Sequence, residues 1–147
     1  MTIINVKIVN ETQHPLPNYA TVGSSGMDLR AHLQEPYVLK PFHRFAVPTG
    51  IKIELPDGYE AQVRPRSGMA LKQGITCLNS PGTIDSDYRG EIKAILINLS
   101  NENQVINNGD RIAQLVFQQI EKANWIQVSV LEPSSRNEGG FGHSGIN

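Results

Sequence analysis

The chain of 147 residues has a single cysteine, Cys77, so an internal disulfide is impossible and a reducing compartment is expected. No apolar run approaches the roughly 20 residues that span a bilayer. The first residues also lack the charged-then-apolar pattern of a secretory signal. These omissions point to a soluble cytoplasmic protein with no membrane partner. Aromatic residues are scarce at 6%, and neither sign of charge dominates: 13 Lys and Arg stand against 14 Asp and Glu, a net charge of −1. That balance gives no footprint for wrapping nucleic acid, so phosphate recognition must come from a local cluster of cations. No long segment keeps a helical period, and no Gly-Lys-Ser/Thr follows a glycine-rich turn, which excludes a Walker A loop. His14, His32, His43 and His143 are scattered without ligand spacing, so zinc is not expected and each reads as a surface or packing residue.

What the chain does have is many short β-branched and apolar runs punctuated by Gly and Pro. Thr2 to Val9 alternates, with Ile4, Val6 and Ile8 on one side. Tyr37–Leu39, Arg44–Val47, Gly50–Leu55 and Tyr59–Val63 follow, then Gly74–Leu78, Ile92–Leu99, Gln104–Ile106, Arg111–Gln119 and Trp125–Leu131. Such spacing predicts one all-β domain, a barrel or sandwich. One short helix is expected over Ser67–Gln73, with Ser67 as N-cap and Gly74 as terminator.

Several stretches carry chemistry. Asn79 to Glu91 (Asn-Ser-Pro-Gly-Thr-Ile-Asp-Ser-Asp-Tyr-Arg-Gly-Glu) lies between two apolar runs and reads as a hairpin whose loop is too long and too polar for a simple turn. It is either a solvated loop or a nucleotide-binding hairpin with a catalytic carboxylate. Asp85 and Asp87, two apart on an extended segment, share a face, so pattern alone does not choose between them. Ser24–Arg30 places Asp28 after a small-residue turn. Arg66, Ser67 and Gly68 offer a guanidinium, a hydroxyl and N–H groups at a helix start, a combination suited to phosphate, although Arg66 in an ordinary surface ion pair explains it equally. Gly109–Gln114 reads as a turn entering a strand. From Glu132 the chain is polar and glycine-rich, with Phe141 alone among Gly139, Gly140, Gly142 and Gly145. That composition fits a disordered tail, or an arm that orders over a ligand with the phenyl ring on a base.

Taken in order, these segments resemble the five motifs of the trimeric deoxyuridine triphosphate nucleotidohydrolases, the dUTPases. They are Ser25-Gly26-Met27-Asp28-Leu29, Arg66-Ser67-Gly68-Met69-Ala70, Asn79 to Asp85 continuing through Tyr88-Arg89-Gly90, Gly109-Asp110-Arg111-Ile112-Ala113-Gln114-Leu115, and Arg136 through Gly139-Gly140-Phe141-Gly142. The likeness runs from about residue 24 to 145.

The resemblance implies a distorted jelly-roll β-barrel over residues 1–135, a flexible C-terminal arm over 136–147 that closes on the nucleotide, and a homotrimer with active sites shared between subunits. It implies Mg²⁺-dependent hydrolysis of dUTP at the α-phosphorus to dUMP and pyrophosphate, supplying dUMP for thymidylate synthesis and keeping uracil out of DNA. Asp85 is then the general base, in preference to Asp87. Tyr88 stacks under the deoxyribose and leaves no room for a 2′-hydroxyl. Asn79 and the hairpin backbone, with Thr83 and Ile84, meet the uracil. Arg66, Ser67 and Gly68 hold phosphates, Gln114 lies near the α-phosphate and the attacking water, and Lys93 is a further substrate contact. Asp28 orients a water on magnesium. Arg136 reaches the γ-phosphate, Phe141 caps the base, and Gly142 and Ser144 complete the arm's contacts.

Uracil presents an N3–H donor between two carbonyl acceptors, and cytosine does not. A fixed backbone matching the first pattern leaves buried groups unpaired against the second, at a cost of about 1–3 kcal/mol per group. The family's fifth motif usually has Gly after its Arg and Ser-Thr after Gly-Phe-Gly, where this chain has Asn137 and His143-Ser144. Asn tolerates left-handed backbone better than most residues, and Ser144 keeps a hydroxyl. The fold is shared with deoxycytidine triphosphate deaminases, but those need a glutamate in the strand after the hairpin, and Ile92 to Asn98 contains no acidic residue. A barrel using dUTP only as a switch is the remaining alternative.

Overall fold

Period-two burial is visible in strand after strand. In the computed structural model, which describes residues 3–139, Ile51 and Ile53, Ala61 and Val63, and Ala94, Leu96 and Asn98 point inward while their neighbours do not. Those described residues form β1 (Lys7–Asn10), β2 (Met27–Arg30), β3 (Tyr37–Leu39), β4 (Arg44–Pro48), β5 (Ile51–Glu54), β6 (Tyr59–Arg64), α1 (Ser67–Gln73), β7 (Ile75–Cys77), β8 (Gly82–Ile84), β9 (Lys93–Asn98), β10 (Gln104–Ile106) and β11 (Arg111–Gln119). The fold is thus all-β with one short helix. Its antiparallel ladders are β1-β5, β3-β10, β2-β11-β6-β8 and β4-β9-β7. They do not join into one closed barrel. They share a core that includes Leu29, Leu39, Ile75, Leu96, Ile112 and Leu115, each such side chain contributing about 1.5–3 kcal/mol on burial.

Three sequence expectations change. The first strand begins at Lys7 because its partner β5 covers only Asn10 to Lys7, and Ile8 is exposed rather than turned inward. Trp125–Leu131 forms no strand among the described residues. An extended run becomes a strand only when another backbone bonds to it, and here Trp125, Ile126, Val130 and Leu131 stand 79–91% exposed. Finally, Ser67 is not the helix cap. Arg66 occupies that place with extended backbone, and its carbonyl accepts from Ala70 N at 3.1 Å. Gly74 does terminate α1, left-handed at φ 65°.

The Asn79–Glu91 stretch departs from a hairpin loop in an informative way. β7 and β9 pair as the two arms, Cys77 opposite Leu96. The residues between them include β8, which leaves that sheet and joins β6, with Ala61 opposite Ile84 and Val63 opposite Gly82. The far end is stapled down: Thr49 Oγ1 donates to Ile92 O at 2.6 Å, and Gly50 N donates to Glu91 Oε1 at 2.8 Å. The excess length is a strand of a second sheet.

Cys77 lies at the base of this segment, buried on β7. Burial disfavours its thiolate and pushes the thiol from its ordinary 9.0 up to about 11. In the unfolded chain the same thiol ionises about two units lower, so stability should decline as pH rises from 9 toward 11. At neutral pH the native protein should resist iodoacetamide, with rapid labelling only after denaturation, read by intact mass.

Candidate active site

One face of the antiparallel four-stranded sheet sets charged and polar side chains in register. Gln114 on β11 lies opposite Asp28 on β2 and opposite Arg64 on β6, so a carboxylate, an amide and a guanidinium stand in one row. Arg64 turns along its own strand, donating from Nε and Nη2 to Gln62 Oε1 at 2.9 and 2.7 Å. Asp28 instead gathers two arginines. Its Oδ1 accepts from Arg66 Nε at 2.9 Å and its Oδ2 from Arg111 Nη1 at 3.4 Å. Arg66 Nη1 also donates to Arg111 O at 3.0 Å. The ion pair offered as the plain reading of Arg66 therefore exists, but its partner is another site candidate.

Arg111 is the residue the sequence reading passed over. Positions 111 and 114 of a regular strand point to opposite faces. Here the β2–β11 register shifts between Arg111 and Ala113, so Arg111 lies opposite Arg30 and Gln114 opposite Asp28. The bulge at Ile112 puts both side chains on the same face, while Ile112 and Ala113 are buried in succession. The sequence carries no distinguishing signal for it, because consecutive buried apolar residues recur in β11 at Leu115 and Val116. Gly26 has a definite task beside this row: a Cβ there would sit 3.1 Å from Gln114 Oε1.

The other candidates sit on the stapled segment. Thr83 and Ile84 belong to β8, and Asp85 follows directly, exposed. Tyr88 N donates to Asp85 O at 3.2 Å, so residues 85–88 form a turn. The extended geometry that made Asp85 and Asp87 equivalent does not hold. The Asn79 amide lies over Gly82, where a Cβ would meet its Nδ2 at 3.0 Å. Tyr88 is half-exposed and its hydroxyl donates to Glu91 O at 3.0 Å. Lys93 Nζ approaches Glu91 Oε2 at 3.9 Å.

These two groups are not brought together within the chain. Arg66 and the exposed Ser67 and Gly68 follow the Arg64 end of β6, beside which Gly82 pairs with Val63, yet no hydrogen bond or ion pair joins them to Asn79, Asp85, Tyr88 or Lys93 among the described residues. Arg136 is remote from both in sequence and exposed, its Nε donating to Gly139 O at 2.6 Å. Asn137 takes the left-handed backbone expected of it, at φ 44°, with its Oδ1 accepting from Ser134 N at 2.9 Å. Phe141, Gly142 and Ser144 lie outside the described residues.

An all-β fold of this kind has known counterparts. The dUTPase family model matches residues 12–145. The deoxyuridine 5′-triphosphate nucleotidohydrolase of Finegoldia magna is 55% identical over 97% of this chain and 99% of its own length. That of Fusobacterium nucleatum is 52% identical over 99% of each. Among solved structures, a mutant dUTPase of Staphylococcus bacteriophage 80alpha with dUpNHpp superposes with a TM-score of 0.82 at 23% identity, covering 97% of this chain and 99% of that one. A mutant dUTPase from phage phi11 of S. aureus, described with a structural Mg(II) ion, gives 0.75 at 21% over 86% and 98%.

The protein is therefore a nucleotide hydrolase of the class that acts on dUTP. The chain belongs to the dUTPase family.

Proposed function

We propose that this chain cleaves dUTP at the α-phosphorus to dUMP and pyrophosphate, in a homotrimer whose active sites are each shared between subunits. The product dUMP would feed thymidylate synthesis, and loss of dUTP would keep uracil out of DNA. The observation that carries the proposal is the separation just described. Arg66, Asp28 and Arg111 bond to one another and Tyr88 and Lys93 to Glu91, with no hydrogen bond or ion pair between the two sets among the described residues, which favours a catalytic site that sets the hairpin of one copy against the arginines of another. Further support comes from surfaces a lone chain leaves open. They include the exposed Trp125–Leu131 run and an apolar cleft of about 800 Å³ lined by Ile4, Val6, Leu16, Met27, Leu115 and Phe117. Arg64 of the polar row reaches that cleft, but Asp28, Arg66, Gln114 and Asp85 do not line it, and its mainly apolar lining suits a protein partner better than a triphosphate.

In this reading Arg66, Ser67, Gly68 and Gln114 receive the phosphates and Asp28 fixes the direction of Arg66. On the hairpin, Asn79, Thr83 and Ile84 read the uracil, Tyr88 bears the sugar, and Lys93 is a further contact. Asp85 aligns the water and accepts its proton as the new P–O bond forms. Residues 1–135 act as the domain and 136–147 as the closing arm, with Arg136 on the γ-phosphate, Phe141 on the base, and Gly142 and Ser144 beside them. Cys77, buried and without a disulfide, accords with a cytoplasmic setting.

Magnesium fits the donor set. No group of three His, Cys, Asp or Glu gathers among the described residues, which disfavours a protein cage of the zinc kind. Both oxygens of Asp28 already accept from arginines, yet a carboxylate has further lone pairs for a water. Such a residue suits Mg²⁺, which keeps its waters and takes most of its ligands from phosphates. When bound, the ion would neutralise charge on the triphosphate oxygens.

A nucleotide panel tests the proposal. Purified protein with Mg²⁺ should release pyrophosphate from dUTP about 100-fold or more faster than from UTP, dCTP or dTTP. Equal rates across the panel would sink it.

A further inference from the structure

Four glycines among the described residues hold left-handed backbone, namely Gly50, Gly58, Gly74 and Gly109. Gly90 is not one of them, so its backbone does not require glycine. Space does. A Cβ built on Gly90 would fall 2.5 Å from Tyr88 Cζ and 2.9 Å from Cε2, and closer still to the hydroxyl oxygen. The phenol end of Tyr88 thus occupies the space that a side chain on Gly90 would fill. Its hydroxyl donates to Glu91 O, one residue beyond Gly90.

The backbone at that point is fixed. Glu91 Oε1 accepts from Gly50 N, and Ile92 N donates to Ile51 O at 2.8 Å. Adding a methyl at position 90 would therefore displace the exposed end of the tyrosine and not the stapled backbone. With its phenol end in the space a side chain at 90 would fill, and the residue half-exposed, the position of the ring is set by the absence of a side chain at 90.

We infer that Gly90 is a positioning residue: it lets Tyr88 sit low enough to admit a 2′-deoxyribose and high enough to refuse the ribose hydroxyl. The inference rests on the proposed role of Tyr88 as the sugar platform. Steric refusal of one oxygen atom depends on placement to a fraction of an ångström, so a ring lifted or swung off its glycine discriminates poorly. Gly90→Ala should lower the ratio of kcat/KM for dUTP over UTP by about tenfold or more.

The test is a double-mutant cycle on that ratio, using wild type, Gly90→Ala, Tyr88→Ala and the double variant. If Gly90 acts through the ring, Gly90→Ala reduces selectivity in the wild-type background and does nothing further once Tyr88 is alanine. A purely structural role would lower kcat/KM for both nucleotides by one factor, leave the ratio unchanged and persist without the ring. That outcome overturns the inference, as does multiplication of the two effects on selectivity. Tyr88→Ala also stands as an independent check. If it leaves the dUTP:UTP ratio intact, the sugar-platform reading itself is wrong, whatever Gly90→Ala does. The double variant has room for the added methyl, so it reports even if Gly90→Ala alone folds poorly.

Discussion

Asp85→Asn should lower kcat by about 10²–10⁴-fold, the usual range for losing a general base, while dUTP still binds. The isostere keeps the side chain's size and one acceptor oxygen, so the nucleotide loses little, but an amide does not take the proton from water. Asp85 emerges from β8 on a segment held at both ends, by Leu78 N on Ile95 O at 2.8 Å and by Glu91 on Gly50 N. A carboxylate so mounted is placed by the sheet and not by a free loop. Asp85 opens the 85–88 turn directly after β8, whereas Asp87 lies two residues further into it. Single-turnover pyrophosphate release together with equilibrium binding of dUTP separates the two steps for Asp85→Asn and Asp87→Asn. Loss of turnover in the Asp87 variant and not in the Asp85 variant would reverse the assignment.

A larger effect is expected from mixing two dead proteins. Asp85→Asn damages the hairpin and Arg66→Ala damages the phosphate cluster, and each homotrimer should be nearly inactive. Co-assembled at random in equal amounts, the two should recover about one quarter of wild-type turnover in the whole population and about one third in the mixed trimers alone. Those are the shares of sites drawing both halves from intact segments when chains assort at random. Recovery is impossible if each chain builds its own site, because every chain carries one lesion. Differently tagged chains purified in tandem establish that mixed assemblies were measured, and the absence of recovery in that fraction would rule out the shared site.

Much of the fold was legible because alternation is a local property. The limits of β11 agree with the sequence expectation, and Gly74 closes α1 as expected. The family was legible too, since its motifs are carried by residue order. What escaped the sequence was relational. Trp125–Leu131 has the composition of a strand but no partner among the described residues. β8 reads as loop because its partner among the described residues, β6, belongs to another sheet. The pairing of Asp28 with Arg66 spans 38 positions, and that with Arg111 spans 83, so neither is visible to any local pattern. Asn137 was legible for a physical reason: its amide bonds to Ser134 N, and asparagine tolerates the positive φ that glycine would otherwise supply.

The bulge at Ile112 has a consequence for how this protein can vary. Because it alone brings Arg111 onto the face of Gln114 and Asp28, the phosphate cluster depends on the number of residues between the Asn107–Asp110 turn and Gln114 as much as on their identities. Swapping Ile112 for another aliphatic side chain preserves the count. Deleting it would restore regular alternation, turn Arg111 toward the core, and remove one of the two cations from Asp28 with no charged residue mutated. Between these positions, chain length carries the information that elsewhere is carried by residue type.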